Sequence, residues 1–174
     1  MRKLQMVDLK SQYEKIKEEV NASIQEVLDT NTYINGPLVH QFQADLEAYL
    51  GVKHVIPCAN GTDALQIAMM GLDLQPGDEV ITPSYTYIAT VEVVALLRLK
   101  PVFCEINPKT FCMDANEIEK LITSKTKAIV PVHLYGQAAA MNEIMEIAER
   151  HNLFVVEDNA QAIGCDYYHT DTKI

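Results

Sequence analysis

Between Ser11 and Leu28 the apolar residues Ile16, Val20, Ile24, Val27 and Leu28 recur at spacings of three and four along an otherwise charged segment. That period predicts an amphipathic helix whose single stripe lies on a surface, its own or a partner's. Asn35-Gly36-Pro37 interrupts the pattern. Pro37 suits the first turn of a second helix, in which Val39, Phe42, Leu46 and Leu50 face one way before Gly51 ends it. From Lys53 onward short apolar runs alternate with helical periods, as βα units on a parallel sheet require. The predicted strands are Val55–Cys58, Glu79–Thr82, Val102–Ile106, Ala128–Val132 and Phe154–Glu157. The predicted helices between them lie near Thr62–Met70, Ala89–Leu99, Asp114–Leu121 and Met141–His151, with Asp114 and Glu117 at capping-box spacing. The chain therefore divides into a helical segment, residues 1–52, and an α/β region, residues 53–174.

Composition narrows this picture. A chain of 174 residues that is 48% hydrophobic can bury one sizeable core but scarcely two. It contains no apolar run of signal-peptide or membrane-spanning length, which points to the cytoplasm. Cys58, Cys104, Cys112 and Cys165 show no C-x-x-C spacing, and most of them sit in or beside apolar segments, which argues against disulfides and zinc. The histidines likewise lack metal-ligand spacing. A formal charge of −10 with no basic run argues against a nucleic-acid partner. The stretch from Asp166 to Ile174 follows a strand without the helix expected to cover the sheet, so the domain reads as cut short.

Three segments carry candidate chemistry, each at the carboxyl end of a predicted strand, where open α/β sheets hold ligands. Ala59-Asn60-Gly61-Thr62-Asp63 is a glycine turn feeding a helix. Its first N–H groups can receive a phosphate on Gly61, Thr62 and Asp63, although an ordinary turn capped by Thr62 reads as well, and the Asp63 charge must point away or bond the loop. Pro83 to Thr90 brings tyrosines that could stack on a flat heterocycle or simply fill core. Asp158, with Gln161 three residues on, is a carboxylate at the end of the run Leu153 to Val156, and it could equally cap the next helix. A phosphate cradle, a flat aromatic and a buried carboxylate together are what pyridoxal 5'-phosphate needs. His133 stands at a strand end, where a satisfied structural histidine is commoner than a catalyst, and receives no role.

Over nearly its whole length the chain resembles the DegT-type sugar-nucleotide aminotransferases of pyridoxal-phosphate fold type I. The matching segments, in order, are Val7 to Lys10, Gly36 to Val39 with Phe42, Asn60 to Leu65, Gly77 to Val80, Pro83 to Thr90, Pro131 to Gly136, and Glu157-Asp158 with Gln161. The resemblance implies the large domain of such an enzyme: a mostly parallel sheet with helices on both faces, incomplete at its carboxyl end. It implies that Gly61, Thr62 and Asp63 hold the cofactor phosphate, Tyr87 stacks on its ring, Asp158 pairs with the ring nitrogen and Gln161 bonds the ring hydroxyl oxygen. An anion beside the ring nitrogen favours its protonated form by about 1.4 kcal/mol per unit of pKa shift. The family's Schiff-base lysine lies beyond Asp158 in a Ser-x-x-Pro-Ser-Lys-like segment that these residues do not contain. Lys173, the one lysine after Asp158, has neighbours that do not match it. Ile163 and Asn159 also depart from the family's usual residues.

The activity implied is transfer of an amino group from glutamate to a keto group of a nucleotide-linked sugar. The similarity runs closest to members that aminate C3, with C4-aminating relatives sharing the motifs. The chain taken alone is expected to be inactive. A pyridoxal-phosphate-dependent sugar dehydratase and a non-catalytic nucleotide-sugar-binding module are the competing readings, although Asn60-Gly61-Thr62-Asp63 is not a dinucleotide fingerprint. A homodimer is expected, its N-terminal helices forming part of the interface.

Overall fold

The structure is a computed structural model that describes residues 7–169, 172 and 173. It separates into two compact units, Met1–Pro57 and Cys58–Ile174. In the first, α1 (Leu9–Thr30) opens with Asp8, whose carboxylate accepts from the Ser11 N–H, and stops at Asn31 in the left-handed region. No residue of α1 is buried within the chain, and Ile16, Ile24 and Leu28 of its apolar stripe lie exposed. The second helix, α2 (Pro37–Leu50), has proline in its first turn and ends at Gly51 with φ +67°, the conformation glycine adopts without strain.

The second unit begins with α3 (Gly61–Met70) and continues through β1 (Glu79–Pro83), α4 (Ala89–Leu96), β2 (Lys100–Cys104), α5 (Ala115–Ile118), β3 (Thr126–Ile129), α6 (Met141–His151) and β4 (Phe154–Val155). The four strands form a sheet of order β2-β1-β3-β4, every neighbouring pair parallel. A small antiparallel pair, β5 (Tyr168–His169) and β6 (Thr172–Lys173), follows. Lys173 thus falls in β6, and its side chain lies outside the described residues.

Strand alternation assigns each helix a face. Val80, Ala128 and Val130 pack under α3 and α4 with Leu65, Met69, Val93 and Val94. Their neighbours Ile81 and Ile129 point the other way, to Ile118 of α5 and Ile144, Ile147 and Ala148 of α6. This is the predicted parallel α/β sheet covered on both sides. It buries Cys104 and Cys112, and burial pushes the Cys104 thiol up to about 12.

The strand expected at Val55–Cys58 does not form. The Val55 N–H is taken by the Glu47 carboxylate at 3.0 Å, Pro57 has no N–H to give, and Ile56 is 76% exposed. Elsewhere the ends shift. The expected Val102–Ile106 becomes Lys100–Cys104, because Ile106 turns aside into an antiparallel bridge with Met113. The expected Ala128–Val132 begins at Thr126 and ends at Ile129, and Val132 instead bridges Asp158. The helix expected to reach Leu99 stops at Leu96, and Arg98 takes a positive φ of 59°. Asp114 caps Asn116 rather than closing a box with Glu117.

Candidate active site

Strand order reverses between β1 and β3. The chain leaves β1 through α4 towards β2 on one face and leaves β3 through α6 towards β4 on the other, which opens a crevice at their carboxyl ends. A cavity of about 230 Å³ lies there, and Gly61, Thr62, Tyr87, Asp158 and Gln161 all line it. Larger cavities of about 620 and 410 Å³ lie elsewhere, under α6 and beside Glu157, and take in none of those five residues.

The start of α3 contributes Gly61 and Thr62 to the crevice. Asn60 caps the helix: its Oδ1 accepts the Asp63 N–H at 3.0 Å, and its Nδ2 donates to the Asp63 carboxylate at 3.0 Å. This reciprocal pair spends both the N–H and the charge of Asp63 on the turn. The cap is Asn60, not Thr62. The N–H groups of Gly61 and Thr62 then open α3 with no partner among the described residues, where the helix dipole favours an anion.

Asp158 lines the same cavity and is only 8% exposed. The backbone holds it: its N–H donates to the Pro131 carbonyl at 2.9 Å and its carbonyl accepts the His133 N–H at 3.1 Å. Its Oδ2 accepts the Thr90 hydroxyl at 2.8 Å, and Oδ1 the Ala160 N–H at 3.3 Å. Thr90, fully buried on α4, lies 3.3 Å from the Thr86 hydroxyl, which also lines the cavity. No cation pairs with Asp158 among the described residues. Tyr87, 70% exposed, also lines the cavity. Gln161 accepts the Tyr135 N–H on Oε1 at 2.8 Å.

Thr86, Thr90 and Tyr135 are site residues that received no role from sequence. Thr86 and Thr90 stood in sight at helical spacing, but Thr90 meets Asp158 only through the fold. His133 is a satisfied structural histidine. Its Nδ1 accepts the Ala139 N–H at 3.0 Å and its Nε2 meets Glu157 at 2.8 Å, a bond that holds the Glu157 carboxyl below its ordinary range. With Nδ1 accepting, the proton of a neutral ring sits on Nε2.

Among the described residues the site therefore offers two unpaired N–H groups, a flat ring, a buried acceptor without a counter-cation and an amide. Pyridoxal phosphate carries the complements: an anionic phosphate, a planar ring, a ring nitrogen that donates when protonated and a hydroxyl oxygen that accepts. The residues present fit it. Sheet and switch point together define an α/β domain of the kind that holds ligands at the carboxyl ends of its strands. The chain belongs to the DegT/DnrJ/EryC1/StrS aminotransferase family, which it matches over residues 14–172 and whose members depend on pyridoxal phosphate.

Among its relatives is the UDP-2-acetamido-2-deoxy-3-oxo-D-glucuronate aminotransferase of Pseudomonas aeruginosa, 49% identical over 94% of this chain and 46% of the relative. Among solved structures, S. venezuelae DesV in complex with a ketimine intermediate superposes with a TM-score of 0.93 at 41% identity, covering 100% of this chain and 46% of DesV. The ntda protein of Bacillus subtilis, with bound cofactor PMP, superposes at 0.84 with 43% identity, covering 86% of this chain and 34% of its own. The chain spans less than half the length of each. No helix among the described residues is long and apolar enough to cross a membrane.

Proposed function

We propose that the whole protein transfers an amino group from glutamate to the C3 keto group of a nucleotide-linked sugar in the cytoplasm. The observation that carries this reading is Asp158: a buried carboxylate with no counter-cation among the described residues, lining a cavity that the start of α3 also lines. A charge buried that way calls for a cationic partner from the ligand. The likeness to a 3-oxo-sugar aminotransferase supports C3 as the reacting position.

In this reading Gly61 and Thr62 hold the cofactor phosphate through their N–H groups, and Asp63 keeps the turn in shape. Tyr87 covers the ring. Asp158 accepts from the protonated ring nitrogen, Thr90 steadies that carboxylate, and Gln161 donates to the ring oxygen. When bound, pyridoxal phosphate supplies an electron sink for the carbon that exchanges its amino group. Lys173 is given no covalent role. Residues 1–52 are assigned as a segment preceding the cofactor domain, and the exposed stripe of α1 supports a homodimer.

The test is to incubate the full-length protein with pyridoxal phosphate, glutamate and a UDP-linked 3-oxo sugar. A UDP-linked 3-amino sugar and 2-oxoglutarate, formed in equal amounts, are expected. Consumption of the sugar without an amine product would replace the transaminase by a dehydratase.

A further inference from the structure

The turn between β3 and α6 is held in an unusual shape by bonds that converge on one residue. Tyr135 takes φ 57° and ψ 25°, a left-handed conformation that side chains disfavour, and Gly136 follows at φ 84°. His133 anchors the turn's start through Asp158, Ala139 and Glu157. Tyr135 is then fixed at both ends: its N–H donates to Gln161 Oε1 at 2.8 Å, and its hydroxyl lies 2.9 Å from that of Tyr85. Phe111 packs against both tyrosine rings, at centroid distances of 6.1 and 6.3 Å.

The consequence falls on Gln161. A backbone N–H can only donate, so the amide atom facing Tyr135 must be the oxygen. The NH2 group is the end left over, and Gln161 lines the cavity beside Asp158. The wall therefore shows an acceptor at Asp158 and a donor at Gln161. Were Gln161 turned over, two acceptors would stand side by side, and the Tyr135 N–H would face an NH2.

We propose that Tyr135 is a positioning residue, locked by the Tyr85 hydroxyl, that orients the Gln161 amide so that it donates to the hydroxyl oxygen of the cofactor ring. This rests on the functional reading above, and it concerns affinity for a ring that carries that oxygen. The hydroxyl pair belongs to the brace rather than to the ligand, so deleting either hydroxyl loosens the same contact. The two deletions should not add.

The experiment measures binding of pyridoxamine phosphate, which needs no covalent bond, and of its 3-deoxy analogue to the full-length protein. Tyr85→Phe and Tyr135→Phe should each weaken pyridoxamine phosphate about threefold to tenfold, the range of one hydrogen bond's net worth. The double variant should be no weaker than either single one, and the 3-deoxy analogue should bind all of them equally. Gln161→Glu keeps an acceptor for Tyr135 and removes the donor, so it should weaken pyridoxamine phosphate more than the 3-deoxy analogue even if a tyrosine variant folds poorly. Equal weakening of both ligands would reduce the brace to a structural support and overturn the proposal. Unchanged affinity in both tyrosine variants alongside a loss in Gln161→Glu would also overturn it while leaving the functional reading intact. A wild-type protein that binds neither ligand would remove the functional reading itself.

Discussion

The sheet carries a buried carboxylate at each end, and the two keep different company. Glu79, at the amino end of β1, is 4% exposed and takes the Lys100 ammonium at 2.8 Å together with the hydroxyls of Thr123 and Thr126. Asp158, beyond the carboxyl end of β4, is similarly buried but among the described residues takes one hydroxyl and one long backbone N–H, with no cation. Glu79 is finished by its own chain, as a structural carboxylate should be. Asp158 is left with capacity towards a cavity. What separates a supporting group from a working one here is the balance of partners, since burial is nearly the same.

The contrast can be broken most severely at Asp158. Asp158→Asn keeps the shape and an acceptor for Thr90 but removes the charge. A carboxylate of this kind shifts a neighbouring group by about one to three pKa units, so turnover of the full-length protein should fall by roughly ten- to a thousandfold. Thermal melting should barely move. A variant of undiminished turnover would make Asp158 another Glu79.

Thr90→Val sharpens the same end. Removing the Thr90 hydroxyl, which donates to Asp158, should lower turnover by about tenfold, as expected for a hydrogen bond to a charged group. The loss should shrink when measured in the Asp158→Asn background, since the two residues act through one contact.

At the other end Glu79→Gln should act on stability alone. The Lys100 hydrogen bond, and next that of Thr123, hold the Glu79 carboxyl below its ordinary value of 4.5. A depressed folded value means that the stabilisation is complete above pH 4.5 and is lost as pH falls through the folded value. Wild-type melting temperature should therefore drop on the acid side, and the glutamine variant should start lower at neutral pH with a shallower acid fall. Affinity for pyridoxamine phosphate should be the same in both.

The smallest effect is expected at Gly61. A Cβ there would meet no atom within 4 Å, and its φ is not in the left-handed region. Gly61→Ala keeps the N–H, so phosphate-dependent binding should survive, with stability raised by about 0.4–1 kcal/mol. A clear loss of pyridoxamine phosphate binding would show that the ligand approaches this Cα more closely than an N–H contact requires.

The helices and the parallel sheet were legible because their periods are local: Ile144, Ile147 and Ala148 share a face whatever surrounds them. Strand ends were less so, because they depend on which neighbour takes each N–H. Val156 still donates to Ile129 at 3.1 Å although β4 has ended, whereas the Val55 N–H is diverted to Glu47. The residues that received roles from sequence were those with recognisable side chains in recognisable turns, and the structure brings Gly61, Thr62, Tyr87, Asp158 and Gln161 to one cavity. Thr90 escaped because its partner lies 68 positions away. Tyr135 escaped because its contribution is a main-chain N–H, which every residue but proline possesses and no pattern distinguishes.

The reciprocal bonds between Asn60 and Asp63 also bear on speed. Because these two side chains close the turn before any ligand arrives, the conformational entropy of shaping it is lost once, during folding, and is not charged again to each encounter. An incoming anion meets amides already aimed. Association should then follow a single bimolecular phase whose rate is set by diffusion and access to the crevice, with no slower ordering of the loop behind it.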